Sequence, residues 1–499
     1  MIIRKNKPIQ KILIVIPPMK PIDYGHGYAH KVNYMLSPVE PLSLAAMLIN
    51  QGYDVRILDT GLHQNEMLTN TSEVISDYQP DAFVLANQLI SFQIDDWDGE
   101  PLFSTAKAMD PEIITITTGT FATNFPERCM KLNAIDYGLR GETDETLCRL
   151  IDALNQNQSI DDIPGLFYRS NGDSFLSGAF PTININDLPM PATHLIERSC
   201  YWSFPEYGKI RYPEKSHKYW DIQTSRGCIH HCHFCCVGFL RGEQKWRRKS
   251  LDRIMEEVES ALDDGVEEIH FIDDFFTATP KQIINFCDKI KSRNLRFHWF
   301  VAQGMPLHPL NEKALEAMVK NGMYRLIAPF ESGNQSVLTN LYGKKLTLAH
   351  SRNVAKWAKS LDIELVGAFV IGYPGETREQ LFQTVDLAEE LDPDYVIFSI
   401  ATPLIGTKLY KTAMDNGLLP NGYESVEKIV KRTQGVMENA GISNAVLAKV
   451  RYGEWDRINF SSQEKIEKYA RMVGLTVNEV EAQRKLTRRS LAQLLKNYE

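Results

Sequence analysis

No stretch of about 18 apolar residues occurs in this chain, so the sequence offers no helix able to span a membrane. It also lacks an apolar leader with a small-residue cleavage site. MIIRKNKPIQKILIVIPP begins basic and then reads as a strand. A positive balance is missing too: 55 lysines and arginines stand against 63 acidic residues, a formal charge of −8, which removes a global attraction to nucleic acid. Compositional bias is absent, since 43% hydrophobic and 24% charged residues are the proportions of an ordinary globular protein. The 499 residues suffice for two or three domains. Cysteine is scarce, at eight, yet Cys228, Cys232, Cys235 and Cys236 fall within nine residues. A disulfide framework would spread them, whereas such crowding suits a metal site in a reducing cytoplasm.

What is present alternates strand and helix. Residues 11–18, KILIVIPP, form a continuous apolar run ended by two prolines, as in a buried parallel strand. Residues 54–60, 81–88 and 113–119 repeat the pattern, 134–146 supplies a short fifth strand, and 41–52 is a helix stopping at Gly52. Strands separated by helices predict a doubly wound, Rossmann-like α/β sheet with its ligand outside the carboxyl ends of the strands. Asn, Asp, Pro and Ser crowd residues 156–200, which predicts a linker. Six further strands are expected at 221–225, 268–273, 296–303, 324–331, 364–372 and 395–402, with a helix in each of the five gaps. Ser250 and Thr279 stand where the first two of these helices would be capped. Six such units predict a partial (β/α)6 barrel of the TIM type, its active site at the carboxyl ends. The expected domains are 1–155, a linker 156–215, the barrel 216–415 and a mostly helical region 416–499.

Thiolates are the ligands that iron–sulfur clusters use. Three on one loop hold three irons of a 4Fe–4S cluster and leave the fourth open to a chelating molecule. Structural zinc, using three of the cysteines plus Cys236 or one of His230, His231 and His233, is the alternative, although zinc knuckles usually carry two CxxC pairs and no second pair exists here. The three histidines read as solvent-facing or supporting groups. Asp273 and Asp274 either serve a cofactor or cap the helix after them. The basic run KWRRK (245–249) reads as a solvated turn, with Arg247 or Arg248 as a phosphate-binding alternative.

CIHHCHFC, with Phe234 before the last cysteine and TSRG ahead of the first, resembles the radical S-adenosylmethionine superfamily. FIDDFF (271–276), FESG (330–333), VIGYPGET (370–377) and ATPLIGTKLY (401–410) resemble that superfamily's strand-end motifs. With the N-terminal domain added, the chain is similar to the cobalamin-binding-domain subgroup from residue 11 to about 415. The resemblance implies a 4Fe–4S cluster on Cys228, Cys232 and Cys235 with S-adenosylmethionine chelating the open iron. It implies that the backbone at Phe234 lies against the adenine, that Asp273 and Asp274 sit near the amino group, that Glu331 bonds the ribose, and that Ile371 and Gly372 line the adenine. Gln303 would face the same mouth.

Cobalamin is implied for the N-terminal domain, with Thr118, Gly119 and Thr120 nearest the corrin. No DxHxxG motif supplies a histidine to cobalt: Asp23 and His26, or Asp59 and His63, have the wrong spacing. The family's double glycine after strand four is here Thr118-Gly119-Thr120. The implied activity is that of a cobalamin-dependent radical methyltransferase acting on a small molecule. A 5′-deoxyadenosyl radical would remove a hydrogen and methylcobalamin would supply the methyl. A flavodoxin, ferredoxin or other reductase would provide the electron, and no membrane or nucleic-acid partner is expected. The AQG and FESG surroundings are most similar to the hydroxyethylphosphonate methylases. The other readings are a cyclase or rearrangement enzyme without net methyl transfer, and a non-catalytic cobalamin or redox sensor. A methylthiotransferase would need cysteines where Pro17, Thr60 and Asn87 stand.

Overall fold

The structure, a computed structural model, describes residues 8–18, 36–89, 99–170, 172–178, 180–202, 214–420, 435–437 and 441–496. Asp23 and His26, and the side chain of His63, lie outside what it describes. The chain divides into two compact units: residues 1–20, 35–201 and 237–248 form one, and 21–34, 202–236 and 249–499 the other.

In the first unit, β1 (Lys11–Ile16), β2 (Asp54–Asp59), β3 (Ala82–Leu85), β4 (Ile114–Thr117) and β5 (Tyr137–Leu139) pair in parallel. The run from Ile12 to Val15 is wholly buried, as a central parallel strand covered on both faces requires. The linker expectation for 156–200 misses a hairpin, β6 (Leu166–Ser170) and β7 (Asp173–Leu176), which extends the sheet antiparallel to β5. The full order is β2-β1-β3-β4-β5-β6-β7, so direction reverses between β1 and β3, where doubly wound sheets hold their ligands.

Residues 237–248, next in sequence to the cysteines, also belong to this unit. The reason is ionic. Arg247 donates to both oxygens of the buried Glu142 carboxylate, at 2.5 and 2.8 Å, and Arg241 donates to Glu40 at 2.8 Å. Within KWRRK, Lys245 is exposed and the other residues are half-buried or buried. Arg247 is bound to Glu142, and Lys249, in the second unit, lies 2.7 Å from the buried Glu257.

The second unit contains β8 (Tyr219–Ile222), β9 (Glu268–Phe271) and β10 (His298–Val301) in one parallel sheet. β11 (Arg325–Glu331), β12 (Glu364–Ile371) and β13 (Tyr395–Ile400) form another, and a parallel bridge from Trp299 to Met323 links the two. Helices at Leu251–Asp263, Pro280–Ser292, Glu312–Lys320, Leu348–Ser360 and Arg378–Leu391 occupy the five gaps. Ser250 caps the first and a Thr279–Gln282 capping box opens the second. Phe271, Phe286 and Trp299 pack edge-on between strands and helix at centroid distances of 5.5–5.6 Å. Further helices, including Gln463–Met472 and Val477–Lys496, follow the barrel.

Candidate functional site

β8 ends at Ile222 and the chain turns through Thr224 to Gly227 before reaching Cys228. Asp273, buried just beyond the end of β9, holds that turn. Its carboxylate accepts from the Thr224 hydroxyl at 3.1 Å, from the Ser225 hydroxyl at 2.7 Å and from the Ser225 amide. Asp274 accepts from the Gly227 amide at 3.0 Å. Neither residue caps the following helix, since Thr279 does. Asp273 thus holds the turn that leads to Cys228, and its placement beside a cofactor amino group stays what the resemblance implies.

Cys228 and Cys232 are half-buried, Cys235 is exposed and Cys236 is buried, all as free thiols. Burial pushes the Cys228 thiol up to about 12, opposed by a hydrogen bond from the His230 amide to its sulfur at 3.4 Å. Burial raises Cys232 as well, opposed by the Lys344 charge. Bound iron would reverse both shifts, because a metal-coordinating thiol is deprotonated outright. Three cysteines on one loop offer the soft thiolate donors that a 4Fe–4S cluster uses, so the donor set fits the cluster, with Cys228, Cys232 and Cys235 to hold it.

His233, within the motif, is a strut. Its amide donates to Tyr342 O at 2.9 Å, its carbonyl accepts from the Leu409 amide at 2.8 Å, and its Nδ1 lies 2.6 Å from Leu341 O. Gly343 is required alongside it: a Cβ there would meet His233 Nε2 at 2.7 Å. Phe234 sets its ring edge-on to the buried Tyr342 at 5.3 Å, and the Tyr342 hydroxyl donates to Val370 O at 2.8 Å, tying the cysteine loop to β12.

The other predicted residues collect at the carboxyl ends of successive strands. Gln303 lies half-buried just past β10. Glu331 ends β11 with φ +67, a left-handed conformation that strains a non-glycine residue, at a break in strand register. Its carboxylate is paired with Lys344 at 2.6 Å, a cation the sequence reading did not single out and whose only signal is the Lys-Lys pair after Gly343. Ile371 is buried at the end of β12. Gly372 has φ +80, and Leu447 stands 2.7 Å from where its Cβ would be. Glu376 was also missed. It accepts from the Gly372 amide at 2.6 Å and the Tyr373 amide at 3.3 Å, and burial raises it to about 7.

In the first unit, Thr118 and Thr120 turn their hydroxyls inward, to Leu85 O at 3.2 Å and Gln88 O at 2.7 Å. They shape the loop after β4, where the resemblance puts the corrin. Gln88 and Asn124, both buried, donate to Ser37 O and Thr120 O and leave Gln88 Oε1 and Asn124 Oδ1 without partners. Asn87, two residues past the end of β3, accepts from the Thr120 amide through Oδ1 at 2.9 Å and has no acceptor for its Nδ2 among the described residues, a donor that fits a ligand fringed with amide carbonyls, as cobalamin is.

Residues 222–388 match the family model for the radical SAM superfamily, and residues 25–151 that for the B12 binding domain. An uncharacterized methyltransferase of Pyrococcus horikoshii is 30% identical over 414 residues, covering 82% of this chain and 84% of its own. The cytidylyl-2-hydroxyethylphosphonate methyltransferase of Streptomyces wedmorensis is 27% identical, covering 88% of each chain. Among solved structures, the radical S-adenosylmethionine methyltransferase TsrM of Kitasatospora setae, with cobalamin and a 4Fe–4S cluster bound, superposes with a TM-score of 0.68. It is 15% identical and covers 97% of this chain and 99% of its own, a likeness of fold.

Proposed function

The chain belongs to the cobalamin-dependent radical S-adenosylmethionine methyltransferases, and from that premise we propose that it methylates an unactivated carbon of a small molecule. One observation carries the reading. A three-cysteine loop is fixed by Asp273, Asp274 and His233 at the carboxyl-terminal mouth of a six-stranded barrel, in a chain that also carries a B12 unit. When bound, the cluster supplies an electron to S-adenosylmethionine and cobalamin supplies the methyl group. The protein's own part is positional. Asp273 and Asp274 hold the turn that delivers Cys228, His233 and Tyr342 brace the loop against its neighbours, and Glu376 holds the Gly372 and Tyr373 amides at the end of β12. Phe234, Asp273, Asp274, Gln303, Glu331, Ile371 and Gly372 are the contacts we propose to S-adenosylmethionine.

A phosphonate ester is the first substrate to try, on the strength of the Streptomyces relative. The electron comes from a flavodoxin or ferredoxin in a reducing cytoplasm, which suits eight free thiols. Among the described residues no helix is long and apolar enough to cross a membrane. Two relatives that span more than four fifths of the chain are methyltransferases, so cyclisation and sensing are not favoured. The test is anaerobic turnover of reconstituted protein with reductant, cobalamin, S-adenosylmethionine and cytidylyl-2-hydroxyethylphosphonate. Equal yields of 5′-deoxyadenosine and S-adenosylhomocysteine support methyl transfer. 5′-Deoxyadenosine without S-adenosylhomocysteine would support rearrangement, and neither product would overturn both.

A further inference from the structure

Asn87 follows β3 by two residues, on the β3 side of the switch point between β1 and β3. Its side chain is half-buried, and the orientation of its carboxamide is fixed by the backbone: Oδ1 accepts from the Thr120 amide at 2.9 Å. The loop after β4 is built around that contact. Gly119 has φ +85, and a Cβ on it would lie 1.7 Å from Asn87 Oδ1, so glycine is required there on steric as well as conformational grounds. With the oxygen committed to Thr120, the Nδ2 amide is the half left to face the crevice, and no protein acceptor for it is found among the described residues. Sequence reasoning noticed Asn87 only as a position where a methylthiotransferase would carry cysteine.

A corrin is fringed with primary amides, whose carbonyls accept hydrogen bonds and whose N–H groups donate them. Asn87, two residues past the end of β3, presents a donor to such carbonyls. We propose that Asn87 is a cobalamin-binding residue, its Nδ2 donating to an amide carbonyl at the corrin rim while Gly119 and Thr120 hold the carboxamide in place. This rests on cobalamin occupying the crevice, so the experiment separates the two.

The decisive variant is Asn87→Asp, which keeps an oxygen for the Thr120 amide and replaces the Nδ2 donor with a second, ionised acceptor. Hydroxocobalamin is titrated at pH 8 into cluster-loaded protein and followed by visible absorbance, with iron content and melting temperature measured on the same samples. Loss of one hydrogen bond that the site is built to make predicts binding weakened about tenfold or more, with iron content unchanged. Gly119→Ala, which drives a methyl group into Asn87 Oδ1, is expected to weaken binding comparably, and Asn87→Asp with Gly119→Ala to lose little beyond either alone. Wild-type affinity in Asn87→Asp would overturn the assignment of Asn87 and leave the crevice standing. Failure of the wild-type protein to bind cobalamin would overturn the crevice itself. Weak binding in Gly119→Ala alone, with Asn87→Asp normal, would show that the loop shapes the site without Asn87 touching the ligand.

Discussion

Asp273 takes the Ser225 amide, the Ser225 hydroxyl and the Thr224 hydroxyl in a buried setting, so Asp273→Ala leaves those donors stranded. A stranded buried donor costs about 1–3 kcal/mol, and the cost falls on the turn that delivers Cys228. The expected result is lower iron and sulfide per chain after reconstitution, with Asp273→Asn retaining more than Asp273→Ala. Wild-type metal content in Asp273→Ala would remove the positioning role. At this scale the sequence was legible where chemistry is concentrated and opaque where geometry decides. CIHHCHFC names its cysteines by spacing alone. Whether Asp273 faces a cofactor or the backbone depends on a contact 48 residues away in sequence, which no local pattern encodes. His233 shows the same limit, because its partners near Tyr342 and Leu409 come from other elements.

Among elements, β9 carries the most unusual burden. His270 is buried in mid-strand with Glu268 at 3.0 Å from Nε2 and Asp221, its register partner on β8, at 3.4 Å from Nδ1. Tyr219 stacks on the ring at 4.9 Å, Phe300 lies against it, and the Tyr324 hydroxyl donates to Glu268 at 2.5 Å. Glu214 and Arg325 complete the charged surroundings: Glu214 feels the charges of His270, Glu268 and Arg325, and burial holds it up at about 7. Burial alone would lower the His270 pKa, but the two carboxylates raise it to about 9. The folded value lies above the ordinary value of about 6.5, so this contribution is fully present below pH 6.5 and lost as pH rises through 9. A gap of that size corresponds to roughly 3 kcal/mol. The melting temperature of the wild-type protein should fall across that window. His270→Gln, less stable throughout, should show a flatter slope, and parallel slopes would contradict the pairing. Strands such as β1 and β12 were readable as apolar runs. The hairpin β6–β7 was not, because β7 is mostly exposed and carries no alternating apolar face to read.

Over the whole molecule, alternation of strand and helix was enough to anticipate both sheets and the five barrel helices. What escaped was allegiance: residues 237–248 pack with the first unit although they follow the cysteines directly, because Arg247 finds Glu142 105 residues earlier. Charge pairing over such a span leaves no local trace. In the first unit the sequence named loops at strand ends, whereas the hydrogen bond that fixes Asn87 against the Thr120 amide spans 33 residues and leaves no local pattern. The central claim is that Cys228, Cys232 and Cys235 hold a cluster with one iron open to S-adenosylmethionine. The most direct test is electron paramagnetic resonance of the reduced, reconstituted protein with and without S-adenosylmethionine. The account predicts a 4Fe–4S signal whose g-values shift on addition of S-adenosylmethionine and which disappears in Cys232→Ala. A signal unmoved by S-adenosylmethionine, or one that survives in Cys232→Ala, would contradict it.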